Sequence, residues 1–288
     1  MKQTTIFGPY VGELGHEIAK FSGGVRLISK KNRDRENIII TRKDRVDLYY
    51  GAVDIIVPFE IPNDYIDYWP ISAKIKAKEG KKIPKCIDEC LSDCKKKYPK
   101  HEVISGISDF TYMPENDFEY TPRPKNKEIA DSILSRCKEN VVAITSRHRI
   151  NSLGRNWRGE YWEGLFKRIL SKNNYSIVVI GENHSIYKPE QNPNIHYAYQ
   201  YTEKGASGIG IAIELLKKVN FFVGSQSGIV MLANLLKTPL ITWGENSKRL
   251  DEDNYYNNHY SYIRCNWRKP SGCDVSLDRV YNVVEKYL

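Results

Sequence analysis

At 288 residues, 41% hydrophobic and 27% charged, the chain has room for one large domain or two ordinary ones and the balance of a folded protein, which excludes a disordered one. No apolar run reaches the ~18–20 residues that span a bilayer, and Met1-Lys2-Gln3-Thr4 leads into no signal-peptide core, so the expected location is the cytoplasm. A net charge of +9 suits a nucleic acid, an anionic membrane surface or a nucleotide, and equally a Lys-rich solubilising surface.

In chain order, residues 4–7 read as a strand, 8–17 as a Gly-rich loop, and 17–30 as a helix with Ile18, Phe21, Val25 and Ile28 on one face. Residues 37–41 read as a β-branched strand, 44–50 as helix-like, and 52–57 as a strand ended by Pro58. Beyond residue 60 come an aromatic cluster (Tyr65, Tyr68, Trp69), a basic run over 74–85, and an amphipathic helix over 84–98. Cys86, Cys90 and Cys94 line one face of that helix. With no second Cys pair they read as a packed, reduced face rather than a metal site. Residues 114–127, polar and Pro-containing, read as a linker.

The second half alternates regularly: strands at 141–145, 176–180, 195–199, 221–223, 240–243 and 260–263, and helices at 160–170, 209–219, 229–236 and 277–287. Cys137 falls in an expected helix, and Cys265 and Cys273 are near in sequence with nothing requiring a disulfide. Strands and helices alternating at this spacing make a doubly wound parallel sheet, whose ligands sit at the carboxyl ends of the strands. Two such α/β halves joined by a linker predict two facing domains with a cleft between them.

Four constellations could carry chemistry. The first loop has Gly8, Gly12 and Gly15 but matches neither the dinucleotide fingerprint nor a P-loop. Gly12 and Gly15 permit close backbone approach to a ligand, and Glu13, His16 and Glu17 are acid–base groups able to take a proton from an acceptor hydroxyl. The plainer reading makes Glu17 a helix cap and His16 a solvated loop residue. Arg147 and Arg149 leave the 141–145 strand, and Arg155 and Arg158 flank Asn156 and Trp157; guanidinium groups match phosphate oxygens, and Trp157 could pack a sugar or base. Glu182 follows the next strand and could accept from a ribose or base, or simply form a turn. Ser225, Gln226, Ser227 and Gly228 open a helix, where free N–H groups and the dipole favour an anion, and Glu245 closes the strand after it.

The runs Val223-Gly224-Ser225-Gln226-Ser227-Gly228, Met231-Leu232-Ala233-Asn234, Lys237-Thr238-Pro239-Leu240 and Trp243-Gly244 give this half a resemblance to the donor-binding half of GT-B glycosyltransferases. It is most similar to the heptosyltransferase-like families. Gly12-Glu13-Leu14-Gly15-His16-Glu17 resembles their acceptor-side glycine loop, and the arginine-rich strand end is similar to fucosyltransferase-like members, where an Arg contacts the donor phosphate. Gln226 or Ser225 stands where the turn's usual acidic residue is, and Val230-Met231 where a His or Asp is usual.

The resemblance implies two facing Rossmann-like domains about a central cleft: 1–125 on the acceptor side and 126–288 binding a nucleotide sugar, with the terminal helix able to pack back on the first domain. It implies transfer of a sugar to an acceptor hydroxyl. Glu17, His16 or Glu13 would be the base, and Arg147, Arg149, Glu182, Ser225, Gln226, Ser227, Gly228 and Glu245 would hold the donor. The helix dipole and basic side chains replace a metal at the leaving diphosphate, and no cofactor is needed beyond the nucleotide sugar as co-substrate. The acceptor is a glycan or a modified nucleobase in DNA. The alternative reading is a non-catalytic nucleic-acid-binding α/β protein; an enzyme using another nucleotide cofactor is disfavoured by the missing fingerprint.

Overall fold

The computed structural model describes residues 3–12, 14–60, 85–105, 120–121, 123–148, 153–202, 205–245, 260–268 and 272–288. The chain forms two compact units, Met1–Arg123 and Pro124–Leu288.

The first unit carries a parallel sheet of β1 (Thr4–Phe7), β2 (Glu36–Arg42), β3 (Ile55–Phe59) and β4 (His101–Ile104), in the order β3-β2-β1-β4. Ile38, Ile39 and Ile40 are wholly buried, as befits a strand covered on both faces. The expected strand end at Pro58 is overturned: Pro58 lies inside β3. Proline is tolerated on edge strands, and among the described residues β3 is one. β4, unforeseen in the sequence, pairs with β1.

The first helix begins earlier than expected. α1 (Leu14–His16), a π-helical turn (Glu17–Phe21) and α2 (Ser22–Lys31) run on without a break, so His16 and Glu17 are helical and not part of a loop. Ile18, Phe21 and Val25 are buried as their spacing predicts, while Ile28 is only partly so. Residues 43–48 form a 3-10 helix (Lys43–Leu48). On α3 (Lys85–Lys97), Cys94 is buried and Cys86 and Cys90 pack against Ile6, Val11, Ile40 and Phe59, all three as free thiols.

The second unit opens with α4 (Pro124–Leu134), which corrects the end of the expected linker: Pro124 starts a helix, a position where its missing N–H is harmless. The remainder of that linker lies largely outside the described residues. Cys137 sits just past α4, its N–H bonded to the Leu134 carbonyl at 3.0 Å. The strands are β5 (Asn140–Thr145), β6 (Tyr175–Val179), β7 (Ile195–Tyr197), β8 (Phe221–Ser225), β9 (Leu240–Gly244) and β10 (Tyr260–Arg264). All are parallel, in the order β10-β9-β8-β5-β6-β7. The helices are α5 (Gly159–Leu170), α6 (Gly208–Leu216), α7 (Gly228–Leu235) and α8 (Leu277–Val284).

Trp157, Trp162 and Trp243 meet in the core with ring centroids 4.8–5.4 Å apart. Trp157 is 2% exposed and donates from Nε1 to the Val275 carbonyl at 2.7 Å, so it is a core residue, against the expectation that it packs a ligand. A small ribbon of β11 (Trp267–Arg268) and β12 (Gly272–Cys273) follows β10, and Cys265 and Cys273 are joined as a disulfide. α8 buries Val280 and Val284 in this unit's core, beside α5, where Arg168 pairs with Asp278 at 2.7 Å. Among the described residues no helix is long and apolar enough to cross a membrane.

Candidate functional site

Each sheet contains one point where the chain reverses its direction of strand addition, and ligands of open α/β sheets bind there, beyond the strand carboxyl ends. In the second unit the chain runs β5, β6, β7 one way and then returns to lay β8 on the other flank of β5. The reversal therefore lies between β5 and β8. Thr145 pairs with Gly224 across it, so Arg147 lies level with Gln226 just beyond the strands.

Local structure fixes Arg147. Past β5 the backbone bridges antiparallel to Ile186, with His148 N–H to the Ser185 carbonyl at 2.7 Å and Tyr187 N–H to the Ser146 carbonyl at 2.6 Å. The guanidinium crosses the reversal and Nη1 donates to the Gln226 carbonyl. Arg147 is 5% exposed, and no carboxylate of the described residues pairs with it. A cation shut away from water without a counter-charge is expensive by several kcal/mol.

The turn after β8 meets this arginine. Ser227 is the N-cap of α7, with extended backbone and its hydroxyl accepting from Val230 N–H at 3.4 Å. Gly228 begins the helix, and no described residue offers an acceptor to the N–H groups of Gly228 and Ile229. Ser225 Oγ, Gln226 Oε1 and, on β9, Thr242 Oγ1 and Trp243 Nε1 are buried with no hydrogen-bond partner among the described residues. Glu245 is exposed at the end of β9, its carbonyl accepting from the Tyr262 hydroxyl at 3.0 Å. Glu182 is also exposed, but it follows β6, on the far side of β5 from the turn, and faces His184 at 3.3 Å. Arg149 lies outside the described residues. Arg158 is exposed and paired with Glu160 at 3.4 Å.

In the first unit the reversal lies between β1 and β4, and the glycine loop leaves β1 there. Gly8 has φ +85° and a Cβ on it would stand 2.5 Å from the Ile40 carbonyl oxygen, so only glycine fits. The space beside Gly12 is taken by the Tyr10 ring, itself stacked on Phe21 at 5.0 Å, rather than left open for a ligand. Gly15 and His16 are half-buried on α1. Glu13 is outside the described residues.

Glu17 is wholly buried. One carboxylate oxygen accepts from Arg45 at 2.9 Å and the other from the Tyr49 hydroxyl at 2.6 Å. Burial pushes its carboxyl up to about 7, against the opposing pull of Arg45 and Tyr49. That value suits a general base, but with no exposed surface and both oxygens held, an acceptor hydroxyl has no approach to it. Arg45 and Tyr49 escaped the sequence reading because the run Lys43-Asp44-Arg45 looks like the exposed face of a helix. Among the described residues no cluster of His, Cys, Asp or Glu could hold a metal ion.

No protein-family model and no curated protein matches the sequence. Solved structures do. The glycosyl transferase family 9 protein of Veillonella parvula superposes with TM-score 0.65 at 9% identity, covering 99% of this chain and 97% of that one. E. coli ADP-heptose LPS heptosyltransferase II gives 0.62 at 12% identity, with 99% and 98% covered. The E. coli heptosyltransferase WaaC, solved with ADP-2-deoxy-2-fluoro heptose, gives 0.56 at 12% identity, with 99% and 100% covered. What is shared at such identity is the arrangement of the backbone, and by that measure the chain is an α/β protein with the heptosyltransferase-like GT-B fold.

Proposed function

We propose that the chain is a glycosyltransferase that moves a sugar from a nucleotide-sugar donor to an acceptor hydroxyl. The observation that carries this reading is the buried Arg147, uncompensated among the described residues, beside the open N-terminus of α7. A phosphate is the counter-charge this pair of features fits: the guanidinium is a planar donor and the helix start presents N–H groups to an anion. In the proposed reaction the acceptor oxygen attacks the anomeric carbon, the bond from that carbon to the diphosphate breaks, and Arg147 and the helix start hold the charge that develops on the leaving group. Those two features take the part a metal would play, and the reading needs no further cofactor.

The acceptor's proton is assigned to His16 or Glu13 rather than to the enclosed Glu17. A glycan is the proposed acceptor. A modified nucleobase in DNA is the other class that a net charge of +9 suits, and it would show itself by strongly salt-dependent binding.

The test is a thermal-shift and calorimetric screen with ADP-, UDP-, GDP- and CMP-sugars and the bare nucleotides, run with and without EDTA. A ligand that binds only the folded state raises the midpoint, by about 2.7 kcal/mol of stabilisation at a hundred times Kd. A shift with one nucleotide that survives EDTA supports the reading. No shift with any of them removes the donor site, and tight DNA binding in that case favours the non-catalytic alternative.

A further inference from the structure

Gln226 occupies a junction. Its N–H donates to the Trp243 carbonyl of β9 at 3.0 Å, and its carbonyl accepts from Arg147 beyond β5. Its side chain lies over Gly244: a Cβ built on that glycine would stand 2.7 Å from Oε1 and 3.2 Å from the Gln226 Cβ, and 3.3 Å from the Tyr262 hydroxyl of β10. The residue is thus held from both strands that flank β8, β9 and β5. The following residue, Ser227, caps α7, and the one after it carries the first helical N–H to which no described residue offers an acceptor. The grip also leaves the amide oxygen buried with no partner among the described residues, a cost of about 1–3 kcal/mol that a freely placed glutamine would escape by turning to water.

We propose that Gln226 is a positioning residue. Seated over Gly244 and tied to Arg147, it sets the turn that aims the N–H groups of Gly228 and Ile229 at the donor's diphosphate. This rests on the donor site proposed above. It assigns Gly244 a role of its own: the missing Cβ is the seat, although the glycine touches no ligand. It also gives Arg147 two duties, as counter-charge to the phosphate and as brace for the turn.

The experiment is a double-mutant cycle on nucleotide-diphosphate affinity, measured by calorimetry with ADP, UDP and GDP, with unfolding midpoints taken on the same samples. Gly244→Ala is expected to lower affinity about tenfold, since the displaced glutamine carries the turn with it. In a Gln226→Ala background, where the 2.7 Å clash with Oε1 is gone and only the milder contacts with the residue-226 Cβ and the Tyr262 hydroxyl remain, the same glycine substitution is expected to change affinity less than twofold. If Gly244→Ala fails to fold, Gln226→Ala alone still decides, with an expected loss of several-fold at an unchanged midpoint. Wild-type affinity in both variants, or strictly additive losses, overturns the positioning role and leaves the donor site standing. No binding of any nucleotide by the wild-type chain sinks the donor site, and this inference with it.

Discussion

Arg45 and Arg147 are the same residue type, equally buried at 6% and 5% exposed; Arg45 follows β2 in the first unit, and Arg147 lies just beyond β5 at the strand reversal of the second. The first unit answers its arginine from within. Arg45 meets Glu17 at 2.9 Å and Asp44 at 3.2 Å, and nearby the buried Asp47 is held by Arg123 at 2.6 and 2.7 Å. Among the described residues, the second unit gives Arg147 a carbonyl and no carboxylate. A paired buried charge belongs to the fold, because removing either partner strands the other; one that no described residue answers suits the donor phosphate proposed for this site.

That contrast can be broken by substitution. The largest effect is expected from Arg45→Met, which leaves the Glu17 carboxyl buried without its cation and, at pH 8 where the wild-type carboxyl is ionised, lowers unfolding free energy by about 3–5 kcal/mol in a urea titration. Arg147→Met is expected to do the opposite. It removes a charge that no carboxylate of the described residues answers and leaves one carbonyl, that of Gln226, without its donor, so apo stability falls by no more than about 1 kcal/mol, while nucleotide affinity falls about a hundredfold, close to 2.7 kcal/mol. Equal destabilisation by both would show that Arg147 is a structural residue like Arg45.

The next effect is a pH dependence confined to the first unit. Glu17 titrates near 7 when folded and near 4.5 when unfolded, so the folded state holds the extra proton. Its contribution is fully present below pH 4.5 and is lost as pH rises through 7, on the order of 1–3 kcal/mol in all. Melting the wild type and Glu17→Gln from pH 5 to 8 should show a decline that is shallower in the variant; parallel curves would remove Glu17 as its source. The smallest effect is that of Ser227→Ala, which deletes the α7 cap and should cost about 1 kcal/mol of stability, against a few tenths for Ser227→Gly.

Much of the frame was legible in the sequence. The second unit's strands fell where short β-branched or aromatic runs stood between turn residues, and Arg147 and the turn after β8 were picked out by their place at strand ends. The Cys86–Cys90–Cys94 spacing announced a packed helix face. The misreadings share a cause. Pro58 reads as a terminator only if its strand has neighbours on both sides, and among the described residues β3 has one. Trp157 among arginines looks like a stacking platform until Trp162 and Trp243 close around it. Glu17 looks like a poised base until Arg45, 28 residues away, and Tyr49, 32 away, take both its oxygens.

The sequence by itself determined the alternation of strand and helix, the parallel sheets it compels, and which residue types stand at their carboxyl ends, because periodicity and turn chemistry act over a few neighbouring residues. Only the tertiary structure decided which charges are answered inside the protein. Partners such as Arg45 for Glu17, Arg123 for Asp47 and Gly244 beneath Gln226 are brought together by strand order, and burial then multiplies what each pairing, or its absence, is worth.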